Sequence, residues 1–305
     1  MTLQTDIIGD SKYTPVLDHG FVGLVDTMGS DGAIVQAARV SYGDGTKTVR
    51  EDRGLIRYLI RHRHTSPIEM CEVKLHIRMP IFVMRQWVRH RTASLNEYSG
   101  RYSIMSDEFY VPAASAIAPQ SVDNKQGRNG TLDTADAEGV QAIMRMVFDD
   151  AYDAYETLIN ASGEGPADGD YADGLSEDFP GVAREIGRNV LPVSNYTEVY
   201  WKQNLHNFFH LVKLRTDPHA QLEIRQFAQA AYDLVRPHFP AACEAFDDYV
   251  IQAKSFSRME HQLLMDLLAP ELLNRLPVTA DRDFLDHYGL TAREFVEFKA
   301  KLGIE

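Results

Sequence analysis

Cysteine is nearly absent from this sequence. Only Cys71 and Cys243 occur, with no C-x-x-C pair, which argues against a disulfide scaffold or a zinc ribbon and fits a reducing, cytoplasmic setting. Long apolar runs are missing as well. Met79–Met84 is a run far short of the roughly 18 residues that a membrane span requires. The opening MTLQTDIIGD holds acids and neither Lys nor Arg, so no signal peptide is expected there. There is no G-x-G-x-x-G after a strand, no G-x-x-x-x-G-K-[ST] and no G-x-S-x-G, which removes local support for Rossmann, P-loop and α/β-hydrolase readings. Positive charge is in deficit: 31 Lys and Arg against 44 Asp and Glu leave a net charge of −13. A chain so charged should repel nucleic acid and anionic membrane surfaces.

What is present suffices for a large core. The chain has 305 residues, 44% of them apolar and 25% charged, the mix of an ordinary globular protein. Its negative charge is local: from Ser106 to Pro180, 16 acids face only Lys125, Arg128 and Arg145. Within that stretch, 113–139 and 161–178 are rich in Gly, Asp, Ser and Ala. Both are expected to be mobile surface insertions, and 121–130 to be dispensable for activity. Between them, Val140–Ile159 carries Ile143, Met144, Val147, Phe148, Ala151, Tyr155, Leu158 and Ile159, the spacing of a core-facing helix.

Strands are expected over Gly20–Met28, Cys71–Arg78 and Tyr196–Lys202. The second has the clearest alternation, with Cys71, Val73, Leu75 and Ile77 on one face. Helices are expected over Ala33–Ser41, Val49–His62, Ile81–His90, Val182–Val190, Leu205–Leu214, Ala220–Val235, Ala241–Ala253, Met259–Leu268 and Thr291–Leu302. Pro80 suits a first helical turn, and Asn96–Tyr102 reads as a turn entering a short strand. Helices outnumber strands without regular βαβ alternation, so the expected class is α+β, mixed helices with a small sheet.

Arginine is concentrated in two places. Arg57–His64 ends a helical pattern, and Arg85, Arg89, Arg91 and Arg101 lie together with Glu97 as their one nearby acid. Such a cluster in an acidic chain suits a small anion; a solvated helix face is the alternative. His206 and His210 stand at i, i+4 as on a zinc helix, but no Glu lies between them and no third ligand is spaced to join them. Half-buried, hydrogen-bonded histidines explain them equally well. A nucleic-acid-binding module using the arginines and Trp87, Tyr98 and Tyr102 is a further alternative, disfavoured by the charge. In Arg85–Tyr102 (RQWVRHRTASLNEYSGRY), guanidinium forks, hydroxyls and Gly100 suit a phosphate-bearing small molecule.

The same segment resembles the signature of the flavin-dependent thymidylate synthases, RHRxxSxNExSxRY. Arg89-His90-Arg91, Ser94, Asn96-Glu97, Ser99 and Arg101-Tyr102 all match it. The resemblance extends to His64–Glu69, Pro80–Trp87, Arg188–Pro192, Tyr196-Thr197, Trp201, Asn204 and Leu214–Arg225. It departs at Met70, where relatives often carry histidine. It implies a synthase domain over 1–250 with the two insertions, and a helical C-terminal extension over 251–305. It implies methylation of dUMP to dTMP, with methylenetetrahydrofolate as carbon donor and FAD, reduced by NADPH, as hydride donor. It also implies a cytoplasmic homotetramer whose sites draw on several subunits, with no nucleic-acid, membrane or metal partner.

By that resemblance the catalytic residue is Arg215. FAD is assigned to Ser66, Arg89, His90, Arg91, Glu97, Asn204, His206 and His210, and dUMP to Gln86, Arg89, Glu97, Ser99, Gly100, Arg101, Arg188 and Arg215. His64, Glu69 and His219 would complete the pocket. Neither cysteine sits where a nucleophilic thiolate is expected, since Cys71 opens a strand and Cys243 lies in an apolar helix.

Overall fold

The computed structural model describes residues 12–40, 49–122, 127–165, 171, 173–267, 276–277 and 279–302. The first eleven residues, Ser41, Leu268 and parts of both acidic insertions lie outside them. Five antiparallel strands form one sheet in the order β1 (Tyr13–Val16), β2 (Gly20–Met28), β3 (Glu72–Pro80), β5 (Tyr196–Asn204) and β4 (Ser94–Glu97). The expected α+β class is therefore what the chain adopts. The inward face expected at β3 is kept, with Cys71, Val73, Leu75, Ile77 and Met79 all fully buried, while His76 on the other face is buried as well.

The helices are α1 (Asp31–Arg39), α2 (Val49–Arg61), the single turn α3 (Ser66–Glu69), α4 (Ile81–Trp87), α5 (Thr134–Ile159), the single turn α6 (Arg184–Gly187), α7 (Leu205–Arg215), α8 (Leu222–Val235), α9 (Pro240–Phe246), α10 (Arg258–Leu267), α11 (Arg282–Tyr288) and α12 (Ala292–Lys301). Helix α8 lies on β1 and β2, where Gly20 leaves room for it: a Cβ there would stand 2.8 Å from the Phe227 ring. Helices α7, α8, α9 and α2 complete the core around Phe208, Phe227, Phe239 and Ile56.

Several expectations need correction. Pro80 ends β3 and precedes α4 rather than opening its first turn. The short strand near the signature is Ser94–Glu97, before the turn and not after it, because it pairs with β5. Helix α5 is longer than expected and its apolar face is only partly covered, with Met144, Phe148, Ala151, Leu158 and Ile159 partly buried. Ala137 and Tyr155 are buried, whereas Ile143, Met146 and Val147 are about half exposed or more. The first insertion is anchored: Arg128 bonds the buried carboxylate of Glu223 at 3.0 Å, and Tyr110 donates to the same oxygen at 3.0 Å. Removing 121–130 would take a partner from a buried charge, so the piece is not dispensable for stability.

Arg57 and Arg61, the part of the basic run that lies on α2, are neither a solvated face nor an open anion site. Arg53, Arg57 and Arg61 recur every four residues and form one stripe. Arg53 meets Glu244, and Arg57 meets Glu294 at 2.8 Å and Asp248 at 2.5 Å. Arg61 meets Glu297 at 2.5 Å and Glu294 at 3.2 Å. Glu294 and Glu297 belong to α12, so the C-terminal segment is locked to α2 through two guanidinium groups that are almost wholly enclosed.

Candidate active site

Nine of the expected site residues line two cavities that share no lining residue. The larger, about 1130 Å³, lies between the C-terminal ends of α2 and α7, the turn after α7, and Tyr249–Ser255. Gln86, His206, His210, Arg215 and His219 line it, with Arg61, Arg63 and Lys213. The smaller, about 330 Å³, is bounded by Glu97, Ser99, Gly100 and Arg188. Strand β5 passes Glu97 of the smaller cavity and ends at Asn204, which lines neither. Thr197, whose hydroxyl donates to Glu97 at 2.8 Å, and Asn204 lie near its opposite ends. At roughly 3.3 Å per residue they stand about 23 Å apart.

At the larger cavity, α7 delivers Arg215 from its last turn. Asn204 opens the same helix as its cap, accepting from the Asn207 backbone N–H at 2.9 Å. Arg215 Nε donates to His90 Nε2 at 3.0 Å, and its Nη2 donates to the Gln86 carbonyl at 3.1 Å. His90 is buried and its ring meets that of His210 edge-on at 5.7 Å. Burial first, then the charge of Arg215 and the neighbouring His210, push the His90 imidazole down to about 4. It is therefore neutral near pH 7 and acts as an acceptor. Burial and the nearby Arg89 likewise lower Arg215, so two guanidinium groups share this corner. Gln86 Nε2 bonds the Gln221 side chain at 2.6 Å, a residue within the matching Leu214–Arg225 segment to which the resemblance assigns no role. His219 bonds Asp217 at 2.8 Å and is exposed.

At the smaller cavity, Gly100 gives close approach to protein atoms. A Cβ there would meet the Met105 sulfur at 2.9 Å and the Arg188 stem at 3.3 Å. The glycine thus also makes room for packing of Met105 and Arg188 within the chain. Arg101 pairs with Glu185 at 2.9 Å, both about half exposed, a contact weak enough for an anion to displace. Ser66, Glu69, Arg89, Arg91 and Arg101 line neither of these two cavities. His64 is exposed and lies edge-on to Tyr58 at 5.6 Å.

Both thiols are shut away. Burial raises Cys71, and it pushes Cys243 up to about 12, so neither furnishes a thiolate near neutral pH. Among the described residues, no three of His, Cys, Asp or Glu form a metal-holding group, and no helix is long and apolar enough to cross a membrane.

The family model described as "Thymidylate synthase complementing protein" matches residues 23–241. The flavin-dependent thymidylate synthase of Gluconobacter oxydans is 46% identical over 292 residues, covering 95% of this chain and 88% of that one. That of Thermus thermophilus is 52% identical over 261 residues, covering 86% of this chain and 88% of the relative. Among solved structures, a UMP/dUMP methylase PolB from Streptomyces cacaoi bound with 5-Br dUMP superimposes with a TM-score of 0.65 at 32% identity. That likeness covers 78% of this chain and 98% of PolB. With the signature intact, the family model matched over most of the length and relatives near half identical, the chain belongs to the flavin-dependent thymidylate synthases.

Proposed function

We propose that this chain converts dUMP to dTMP by reductive methylation, with methylenetetrahydrofolate as carbon donor and NADPH-reduced FAD as hydride donor. The observation that carries the reading is Arg215, fixed by His90 and Gln86 beside the large cavity in a chain whose thiols are buried. Methylation at uracil C5 needs a carbon made nucleophilic. Addition of a thiolate to the ring is one route, and burial disfavours it here. The other is to stabilise negative charge on the N3/O4 side of the ring with a preorganised cation. Arg215 suits that role. Two of its five N–H donors are spent on His90 and Gln86, which fix its plane, and three remain for an anion.

The cavity's composition fits FAD. Leu59, Ile60, Ile68 and Phe209 offer apolar surface, while His206 and His210 offer hydrogen-bonding partners for a diphosphate. When bound, FAD supplies the reducing hydride. In this reading Ser66, Arg89, His90, Arg91, Asn204, His206 and His210 hold the flavin. Gln86, Ser99, Gly100, Arg101 and Arg188 hold the nucleotide, and Glu97 touches one or the other. His64, Glu69 and His219 border the pocket. The division of these residues between separate cavities supports a homotetramer in which one copy's Glu97–Arg101 segment completes another copy's Arg215 site. A synthase domain over 1–250, a C-terminal extension over 251–305 and a cytoplasmic setting belong to the same proposal.

The test is reconstitution with FAD followed by assay of dTMP from dUMP, methylenetetrahydrofolate and NADPH. Flavin absorbance retained through gel filtration, together with dTMP formation, is the expected result. A protein that holds no flavin and makes no dTMP would sink the reading.

A further inference from the structure

Helix α2 closes on a residue that ordinarily would be glycine. Arg63 has a φ of 57°, in the left-handed region. Its N–H bonds the Ile60 carbonyl at 3.2 Å, and the His64 N–H reaches back to the Leu59 carbonyl at 2.8 Å. That pair of bonds is a Schellman closure, whose left-handed position favours glycine because any Cβ there is crowded. A long cationic side chain therefore stands where the backbone disfavours it.

The cations of this run also sort into two kinds. Arg53, Arg57 and Arg61 are matched by Glu244, Asp248, Glu294 and Glu297. Arg63 is exposed and lines the large cavity, and its guanidinium has no hydrogen-bond or ion-pair partner among the described residues. Lys213, in the last turn of α7, lines the same cavity and is likewise exposed and unpaired among them. Asp217 is the one carboxylate on the lining, and it is already bonded to the His219 ring and backbone N–H, each at 2.8 Å. The cavity rim thus carries two cations that no carboxylate among the described residues compensates.

We infer that Arg63 and Lys213 form an anion-binding rim for the acidic arm of a co-substrate entering this cavity. The arm is either the glutamate carboxylates of the reduced folate or the phosphates of the nicotinamide nucleotide. This rests on the reading that the large cavity is where the flavin meets its co-substrates. The charges suit either source equally, and the experiment separates them.

Arg63→Gly is the informative variant. It removes the cation while relaxing the left-handed backbone, so thermal stability should hold or rise. Full-length, FAD-loaded wild type, Arg63→Gly, Arg63→Lys and Lys213→Gln are titrated by calorimetry at low salt. The probes are tetrahydrofolate with one or three glutamates, NADP⁺ and NAD⁺. Loss of one exposed charge-assisted contact predicts roughly 3–10-fold weaker binding, with a shallower salt dependence. A carboxylate arm shows as loss of the triglutamate's advantage over the monoglutamate. A phosphate arm shows as loss of the preference for NADP⁺ over NAD⁺. Arg63→Lys should recover part of either. Unchanged affinity of Arg63→Gly for every probe that wild type binds would overturn the rim alone. Wild type binding neither a folate nor a nicotinamide nucleotide would overturn the rim and the functional reading together.

Discussion

Arg215 donates its Nε–H to the Nε2 of His90 at 3.0 Å, and that ring nitrogen can accept only while the imidazole is neutral there. The family signature thus supplies, besides its own arginines, the acceptor that orients an arginine 125 residues further along the chain.

The first prediction concerns Arg215 itself. If its charge stabilises the uracil anion, Arg215→Ala should lower dTMP turnover on the order of 100–1000-fold at saturating dUMP. Oxidation of NADPH through the flavin under oxygen should fall much less, since no uracil anion forms in that half-reaction. Arg215→Lys should recover only part, because a point charge lacks the planar fork. Arg101→Ala should mainly raise the dUMP concentration for half-saturation. Near-wild-type dTMP turnover in Arg215→Ala would remove the assigned role.

The second follows from the neutral imidazole. His90 is held at about 4, against 6.5 for a free histidine. Its contribution to stability is therefore complete above pH 6.5 and is lost as the pH falls toward 4, since the unfolded chain takes up a proton that the folded one resists. The loss is on the order of 3 kcal/mol at most. His90→Asn keeps an acceptor for Arg215 without a titrating ring. Urea unfolding of both proteins from pH 7 to 4 should show the two stability curves converging. Parallel curves would mean that His90 does not carry this dependence.

A third tests whether sites are shared between copies. Arg215→Ala and Arg188→Ala place their lesions in different cavities. Co-refolded or co-expressed, the two inactive variants should regain a substantial fraction of wild-type activity, because mixed oligomers contain sites free of both lesions. Activity no higher than the sum of the separate variants would show each site to be built within one chain.

The fourth concerns the α2–α12 clamp. Removing one partner of a buried ion pair costs about 3 kcal/mol or more, so Glu294→Ala should lower the urea midpoint clearly. Acid should act similarly. Burial works to raise Glu294, but hydrogen bonds from Tyr249, the Thr291 backbone and Arg57 outweigh it and hold it near about 2. The bond from Arg61 holds Glu297 near about 2 as well. These contributions are present above the usual carboxylate value of 4.5 and are lost as the pH falls toward 2. Protection factors for hydrogen exchange on α12, measured against the intrinsic rate at each pH, should therefore fall below pH 4.5 in wild type. In Glu294→Gln, which has lost the titrating group, the fall should be smaller.

The sequence made the inner strands and the long helices legible because burial imposes a period on them. Cys71–Met79 alternates, and Leu55, Ile56, Leu59 and Ile60 share a helical face. Tyr13–Val16 was illegible, since a four-residue edge strand has too few side chains to show a period. The α5 surface misled because apolar spacing signals an amphipathic face without saying what covers it. At the site, motif resemblance identified individual residues such as His90 and Arg215. It could not show that they touch, nor that Glu97–Gly100 opens on a different cavity from Arg215. Arg128 was hidden by composition: a Gly- and Asp-rich stretch reads as solvated even when one long side chain in it reaches a buried carboxylate.

The α2–α12 clamp also bears on how the chain is made. Glu294 follows Arg57 by 237 residues. At a synthesis rate of about 5–20 residues per second, α2 leaves the ribosome roughly 10–50 s before its carboxylate partners exist. During that interval Arg57 and Arg61, which end up enclosed, stand as bare cations on a nascent helix. Polyanions, the ribosome's own RNA included, are then competitors for the place that α12 will take.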